Sequence, residues 1–319
     1  MPEVAGAATG ASASAGLAAQ KGSVAVVHAG VLNVAYERHG TPSGWPVVLL
    51  HGFPYDPRCY DEVVGPLAAA GADVVVPYLR GYGPTSFASA ATMRSGQQAA
   101  LAHDLRELIG ALGLRQPVVG GFDWGGRAAC LVAALWPDSV SGLVTVGGDN
   151  VQYIPGAAIP ALPEWESGIW YQYYLHGERG RRGLEEYRAE FTRLLWRQWS
   201  PRWLFTEEQF TASAKSFENP DFVDVVVHSY RHRFGLVVGD PAYEATEERI
   251  AEQPVITVPT VVLDAAHDGI RPRPGAGVPT GQFTGLVARR LVNAGHDLPQ
   301  ESPTAFTEAV FLLHEGTAQ

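Results

Sequence analysis

The stretch Gly120-Gly121-Phe122-Asp123-Trp124-Gly125-Gly126 lies between an apolar run, Pro117 to Val119, and a helical pattern that begins near Arg127. That context reads as strand, tight turn, helix. Small residues at Gly121 and Gly125 permit the turn, which lifts the side chain between them above a sheet and at the N-terminal end of a helix. The side chain so placed is a carboxylate, Asp123. A serine alkylated there would be left as an ether that water does not readily cleave, whereas an alkylated carboxylate is a hydrolysable ester. The same residues could instead form an ordinary glycine-rich turn with Asp123 as a helix cap. What separates the two readings is whether the partners of a nucleophile occur elsewhere, in the right order.

They do occur. His51-Gly52-Phe53-Pro54 directly follows the run Val47 to Leu50. There the backbone N–H groups of Phe53 and Trp124 can jointly bind an oxyanion, with Gly52 allowing close approach and Pro54 fixing the loop. His51 itself reads as a structural loop residue. Asn293-Ala294-Gly295-His296-Asp297-Leu298-Pro299 follows the last predicted strand, so His296 falls on a loop in the last place of the order nucleophile, acid, histidine. Water activation is the role that position gives it. In Leu263-Asp264-Ala265-Ala266-His267-Asp268-Gly269, Asp268 lies beyond the strand Thr260 to Leu263 and is best placed to orient the imidazole. Asp264, at the strand end, and Asp149, after the strand Leu143 to Val146, are the alternative acids.

The pattern around these motifs predicts an α/β architecture. Val24 to His28 and Val31 to Glu37 resemble a leading antiparallel pair. Val47 to Leu50, Val74 to Val76 and Pro117 to Val119 are continuously apolar, as strands of a parallel sheet covered on both faces are. Tyr60 to Ala70 and Ser95 to Leu112 have helical spacing and end near Gly71 and Gly113. From about Val151 strand signals give way to helix formers and aromatics, and strands return at Thr260 to Leu263 and Leu286 to Val292 before a final helix from about Thr304 to His314. The expected organisation is a disordered Ala/Gly/Ser tail over 1–22, a core over 23–150, a helical cap over 151–253 and the rest of the core over 254–319. Such an interrupted alternation implies a mostly parallel, doubly wound sheet with a lid over the carboxyl ends of its strands.

Bulk properties exclude several classes. The chain has 319 residues, 46% of them hydrophobic, enough for a sizeable core and a buried pocket. A formal net charge of -10 argues against nucleic acid, which needs a basic face. The cluster Arg179, Arg181 and Arg182 is flanked by Glu178, Glu185 and Glu186 and reads as a solvated helix surface. Two cysteines, Cys59 and Cys130, provide neither a disulfide framework nor a zinc site, and the reading requires no metal and no cofactor. The start of the chain lacks signal-peptide character and no apolar run is long enough to cross a bilayer, so a cytoplasmic protein is expected. A homodimer is allowed but not required.

Taken together, His51-Gly52-Phe53-Pro54, Leu79-Arg80-Gly81-Tyr82-Gly83, Gly121-Phe122-Asp123-Trp124-Gly125-Gly126, Asp268 and Gly295-His296 resemble the epoxide hydrolase and haloalkane dehalogenase branch of the α/β-hydrolase fold. The resemblance covers nearly the whole chain after the tail and implies a core with a helical cap. Trp170-Tyr171-Gln172-Tyr173-Tyr174 is similar to the epoxide hydrolase segment that supplies one ring-opening tyrosine, and Ser229-Tyr230-Arg231 to the segment that supplies the other. It thus implies Tyr171 and Tyr230 as donors to the epoxide oxygen, with Trp170, Tyr173 and Tyr174 competing for the first role. A phenol, with a reference pKa of about 10, suits that task. Phe53, Pro54, Trp124 and Trp170 are expected against a small-molecule epoxide that becomes a vicinal diol.

Two other functions fit parts of the pattern. A haloalkane dehalogenase would use the same Asp, His and acid, with Trp124 and Trp170 as halide donors, but Phe53 stands where many carry an asparagine. A non-catalytic receptor of this fold would not need all of Asp123, Asp268 and His296. Ala265, where glycine is common, and Tyr60, where tryptophan often stands, depart from the pattern and bear on pocket shape. Abundant cap aromatics suit a bulky, flat epoxide, and having only Lys21 and Lys215 as lysines suggests a GC-rich bacterial genome, in which similar enzymes tailor aromatic polyketides.

Overall fold

The computed structural model describes residues 23–147, 151–270 and 281–317. The expected tail and the alternative acid Asp149 lie outside the described residues. Within them one sheet contains β1 (Val24–Ala29), β2 (Leu32–Gly40), β3 (Trp45–Leu50), β4 (Ala72–Pro77), β5 (Ser86–Phe87), β6 (Val118–Gly121), β7 (Gly142–Val146), β8 (Thr260–Ala265) and β9 (Leu286–Val292). Its order is β1-β2-β4-β3-β6-β7-β8-β9, with β5 on β2. The β1–β2 and β2–β4 pairs are antiparallel, and the pairs from β4–β3 through β8–β9 are parallel.

Side-chain chemistry accounts for this order. Every residue of β4, β6, β7 and β8 is buried, which suits the continuously apolar runs of a sheet covered on both faces. At the edges β1 alternates between exposed and half-buried residues, and β9 turns most of its residues, Arg289 and Arg290 included, toward the surface. Helices Asp61–Ala69, Gln98–Ala111, Asp123–Leu135 and Pro303–Thr317 supply the cover. The helix expected to begin near Arg127 begins at Asp123. Gly125 and Gly126 are weak helix formers that hide its first turn from a periodicity reading, although Gly126 N–H already donates to Phe122 C=O at 3.0 Å.

Between β7 and β8 the described chain contains helices and no strand: Pro163–Gly168, Trp170–His176, Glu178–Glu186, Arg188–Trp199, Glu207–Ala214, Phe222–Arg233 and Glu244–Ala251. They sit over the loops that leave the carboxyl ends of the parallel strands. Trp196 Nε1 donates to Pro54 C=O at 2.7 Å and Ser216 Oγ to Asp56 at 2.7 Å, both in the loop after β3. Asn219 Nδ2 reaches the carbonyls of Gly83 and Thr85, in the loop after β4.

The turn between β6 and the Asp123 helix depends on bare backbone. A Cβ built on Gly125 would lie 2.1 Å from Leu50 C=O, an atom of a central strand that cannot move aside. Gly125→Ala is expected to destabilise the protein by about 3 kcal/mol or more in chemical denaturation. Gly110→Ala, whose Cβ meets nothing within 4 Å near the end of the Gln98–Ala111 helix, should instead stabilise it by about 0.5–1 kcal/mol.

Candidate active site

Asp123 stands at φ +50°, the left-handed region, at the point where β6 turns into its helix. Aspartate tolerates that region better than most residues, and the conformation holds its carboxylate above the sheet. Parallel pairing sets Leu50 beside Gly121 and thereby brings the loop after β3 to the same place. There Phe53 N–H donates to Asp123 Oδ1 at 2.8 Å. Gly52 is needed for this approach, since its Cβ would fall 2.5 Å from that of Asp123.

His296 faces the other carboxylate oxygen, its Nε2 lying 3.7 Å from Asp123 Oδ2. Its Nδ1 pairs with Asp268 Oδ2 at 2.9 Å. An ionised Asp268 can only accept, so Nδ1 carries the proton and Nε2 is aimed at Asp123. Asp264 is not available for this work, because Arg289 binds both of its oxygens, at 2.6 and 3.0 Å.

The end of the Arg188–Trp199 helix ties the two loops together. Trp199 C=O accepts from Gly269 N–H at 2.8 Å and from His296 N–H at 3.2 Å. Ser200 Oγ accepts from His296 N–H at 3.1 Å and donates to Glu301 at 2.6 Å, and Glu301 also accepts from Gly295 N–H at 2.7 Å. The position of the imidazole is therefore set by its backbone as well as by its ring.

Charge follows this geometry. Burial opposes ionisation of Asp123, yet the hydrogen bond from His296, the positive charge of Arg127 and the Phe53 N–H outweigh it and hold the carboxyl below its ordinary value. Burial likewise opposes the imidazolium, but Asp268 and Asp123 together raise His296 to about 10. His51 shows the opposite case. Burial lowers it to about 4, and its Nε2 accepts from Leu79 N–H at 3.1 Å, so it is a neutral structural residue.

A family profile described as alpha/beta hydrolase fold matches residues 46–303, most of the chain. The chain belongs to that family. The resemblance to its epoxide hydrolase branch also holds. A candidate epoxide hydrolase of known structure from Klebsiella pneumoniae is 42% identical, with a TM-score of 0.88 over 92% of this chain and 97% of that one. Epoxide hydrolase 3 of Siraitia grosvenorii is 30% identical over 137 residues, 42% of this chain and 41% of that protein. A haloalkane dehalogenase of Mycobacterium marinum is 31% identical over 121 residues, 37% of this chain and 39% of that protein. The chain therefore spans about two fifths of the length of both curated relatives. Identity alone does not separate ring opening from dehalogenation.

In this α/β-hydrolase a cavity of about 1000 Å³ opens onto the carboxylate and the imidazole, and Tyr171 shares its wall with Asp123 and His296. That volume is at the upper end for small-molecule sites. Tyr171 Oη accepts from Gln172 Nε2 at 2.9 Å, which leaves the phenolic proton to be donated elsewhere. Tyr230, fully buried, packs edge-on against Tyr171 at 5.2 Å, and its hydroxyl makes no hydrogen bond of normal geometry. Burial raises both phenols, and the Asp123 charge raises them further.

Other expected residues are placed differently. Phe53 and Trp124 are fully buried and stack on each other at 5.6 Å beneath the tyrosines. Pro54 uses its carbonyl to hold Trp196. None of the three lines the cavity, and neither does Tyr230, which lies behind Tyr171. Trp170 faces a separate, smaller cavity and donates its indole N–H to Gln198 at 2.9 Å. Tyr173 reaches the main cavity, but its hydroxyl donates to Glu166, while Tyr174 stacks on Phe191. Of the helical segment's tryptophans only Trp165 lines the cavity, whereas Trp196 and Trp199 are packed in the core. The sequence reading missed Arg127 and Arg233, both in the cavity wall. Their signal was spacing: Arg127 lies four residues after Asp123, and Arg233 three after Tyr230, so each shares a helix face with the residue it follows.

A folded value of about 10 against 6.5 for free imidazole means that His296 stabilises the fold fully below about pH 6.5, and that this contribution is lost as pH rises through about 10. An NMR titration should find the His296 ring protonated at neutral pH. In Asp268→Asn its midpoint should fall by about 1 to 3 pH units. An unchanged midpoint would dissociate Asp268 from the imidazole.

Proposed function

We propose that this protein is an epoxide hydrolase that works through a covalent ester on Asp123, with residues 151–253 as a cap that supplies the acid. Asp123 attacks an epoxide carbon, and the carbon–oxygen bond breaks with its electron pair on oxygen. Tyr171 and Tyr230 donate to that oxygen as alkoxide character develops. The product of this step is an alkyl-enzyme ester. His296, oriented by Asp268, then takes a proton from water, and hydroxide adds to the ester carbonyl. The N–H groups of Phe53 and Trp124 hold the oxyanion until it collapses, and the departing diol oxygen takes the proton that His296 had removed from water.

The observation that carries this reading is Tyr171, whose oxygen is occupied as an acceptor by Gln172 while its proton remains free in the same cavity wall as Asp123 and His296. Proton accounting supports it. The resting pair is imidazolium and carboxylate, and ester formation removes the Asp123 charge that helps raise His296 to about 10. The imidazole can then release a proton, which balances the one delivered to the alkoxide through the tyrosines. Ester hydrolysis returns a proton from the new Asp123 carboxyl to His296 and closes the cycle.

Dehalogenation remains the second reading on one observation, the buried indole N–H of Trp124, which has no hydrogen-bond partner. The other expected halide donor, Trp170, is already bound to Gln198. Halide release from 1-bromobutane that is lost in Trp124→Phe, with no diol formed from stilbene oxide, would favour it over ring opening.

With stilbene oxide, His296→Ala should accumulate a protein adduct of the substrate's mass on Asp123, and a single turnover of the wild type in heavy-oxygen water should yield diol free of solvent oxygen. Solvent oxygen in the first-turnover diol would eliminate the covalent route. In wild-type protein the ester should persist longer at about pH 5 than at about pH 8, because the esterified site needs His296 neutral while Asp123 remains ionised well into acid. Tyr230→Phe and Tyr171→Phe should each slow adduct formation by about 10²–10⁴-fold and leave hydrolysis of a formed ester largely unaffected.

A further inference from the structure

Two cations in the cavity wall have guanidinium N–H groups without acceptors, although the charge of Arg127 also helps to hold Asp123 ionised. Arg127, one turn along the Asp123 helix, and Arg233, one turn beyond Tyr230, both line the main cavity and both line the small cleft beside it. They therefore face the same two spaces. Arg127 Nε and Arg233 Nε and Nη2 are buried and make no hydrogen bond. Arg233 donates only from Nη1, to the neutral amide of Gln172 at 3.2 Å, and its guanidinium lies 5.0 Å from the Tyr230 ring centre. Among the described residues no carboxylate forms an ion pair with either. Asp123 is taken by Phe53 and His296. The other carboxylate in the wall, Glu166, accepts from Ala161 N–H and from the Tyr173 hydroxyl.

Buried guanidinium N–H groups without acceptors are costly, and two like charges facing the same spaces add to the cost. An anion in the cavity would relieve both. We propose that the substrate carries a carboxylate, and that Arg127 and Arg233 bind it while the oxirane faces Asp123. This rests on the epoxide hydrolase reading and narrows its substrate class to epoxy acids. The planar fork of each guanidinium matches the two oxygens of a carboxylate. A carboxylate is also the group that most needs such help, since the nucleophile is itself an anion and would otherwise repel it. The cavity is wide enough for an aromatic or aliphatic body between the two groups.

Binding and turnover test the two parts separately. Calorimetry on the wild type should find 2-naphthoate bound at least about tenfold more tightly than 2-naphthamide at low salt, with the difference shrinking as salt is raised. Arg127→Gln and Arg233→Gln should each remove most of that difference, and Arg233→Lys should retain part of it. In turnover, the kcat/KM ratio of 4-carboxystyrene oxide to its methyl ester should exceed about ten in the wild type and fall toward one in the Gln variants. Acid and amide bound equally by the wild type would overturn the carboxylate site, whether or not the variants fold. So would an acid preference that survives both substitutions, since the arginines would then serve only to offset Asp123. Epoxides opened without acid preference would leave the enzyme reading standing and remove this one. Arginine-dependent naphthoate binding with no epoxide opened would keep the carboxylate site and overturn the epoxide assignment, and with it the epoxy-acid substrate class.

Discussion

The carboxylate of Asp123 is held at a fixed point between the Phe53 N–H, at 2.8 Å, and the His296 ring, at 3.7 Å. Most of the fold is arranged around that hold. A left-handed aspartate at a strand end projects its side chain only if the following helix passes close under the neighbouring strand. Gly125 allows this against Leu50 C=O, and Gly52 allows the next loop to close over Asp123. The parallel register of β3 with β6 then delivers an amide to one oxygen, while the loops after β8 and β9 bring Asp268 and His296 to the side of the other. These loops come from distant parts of the sequence, and the sheet brings them together because every parallel strand ends on the same side.

The helical segment between β7 and β8 does more than cover this arrangement. Through Trp199 C=O and Ser200 Oγ it bonds directly to the backbones of Gly269 and His296, so the geometry of the Asp268–His296 pair depends on the segment being seated. The same segment contributes Tyr171, Tyr230 and Arg233. A change in its seating would move Tyr171, His296 and Arg233 together. Electrostatics are coupled in the same way. Arg127 and His296 hold Asp123 ionised despite burial, and Asp123 and Asp268 hold His296 protonated. Neutralising any one member moves the others.

The contrast among the aromatic residues is instructive. Phe53, Trp124, Trp196 and Trp199 look like pocket residues in a list of helical-segment and loop aromatics, but each is buried and serves as packing beneath or beside the site. Tyr171 differs from its neighbours Trp170, Tyr173 and Tyr174 by where one turn of helix points it and by the company of Gln172. Large apolar area drives all of them inward, and only the direction of a short helix decides which hydroxyl faces the cavity.

Local rules made much of this legible in the sequence. The continuously apolar runs around Val47, Val74, Val118, Leu143 and Val261 marked a doubly covered parallel sheet, because burial on both faces leaves no room for alternation. Gly121 and Gly125 around Asp123 marked the turn, since steric exclusion at such a point is a property of the residues themselves. The order of Asp123, Asp268 and His296, each just beyond a predicted strand, marked the polar set; in the structure Asp268 contacts His296, and Asp264 is held by Arg289. Only the tertiary structure decided which residues line the cavity. It turned Trp170 to another space, withdrew Phe53, Pro54 and Trp124 behind the tyrosines, and brought Arg127 and Arg233, 106 positions apart by their numbers, to the same two spaces. The physical reason is that a motif records what neighbours in the chain require of one another, whereas a cavity is formed by faces of elements that meet only when the hydrophobic core closes.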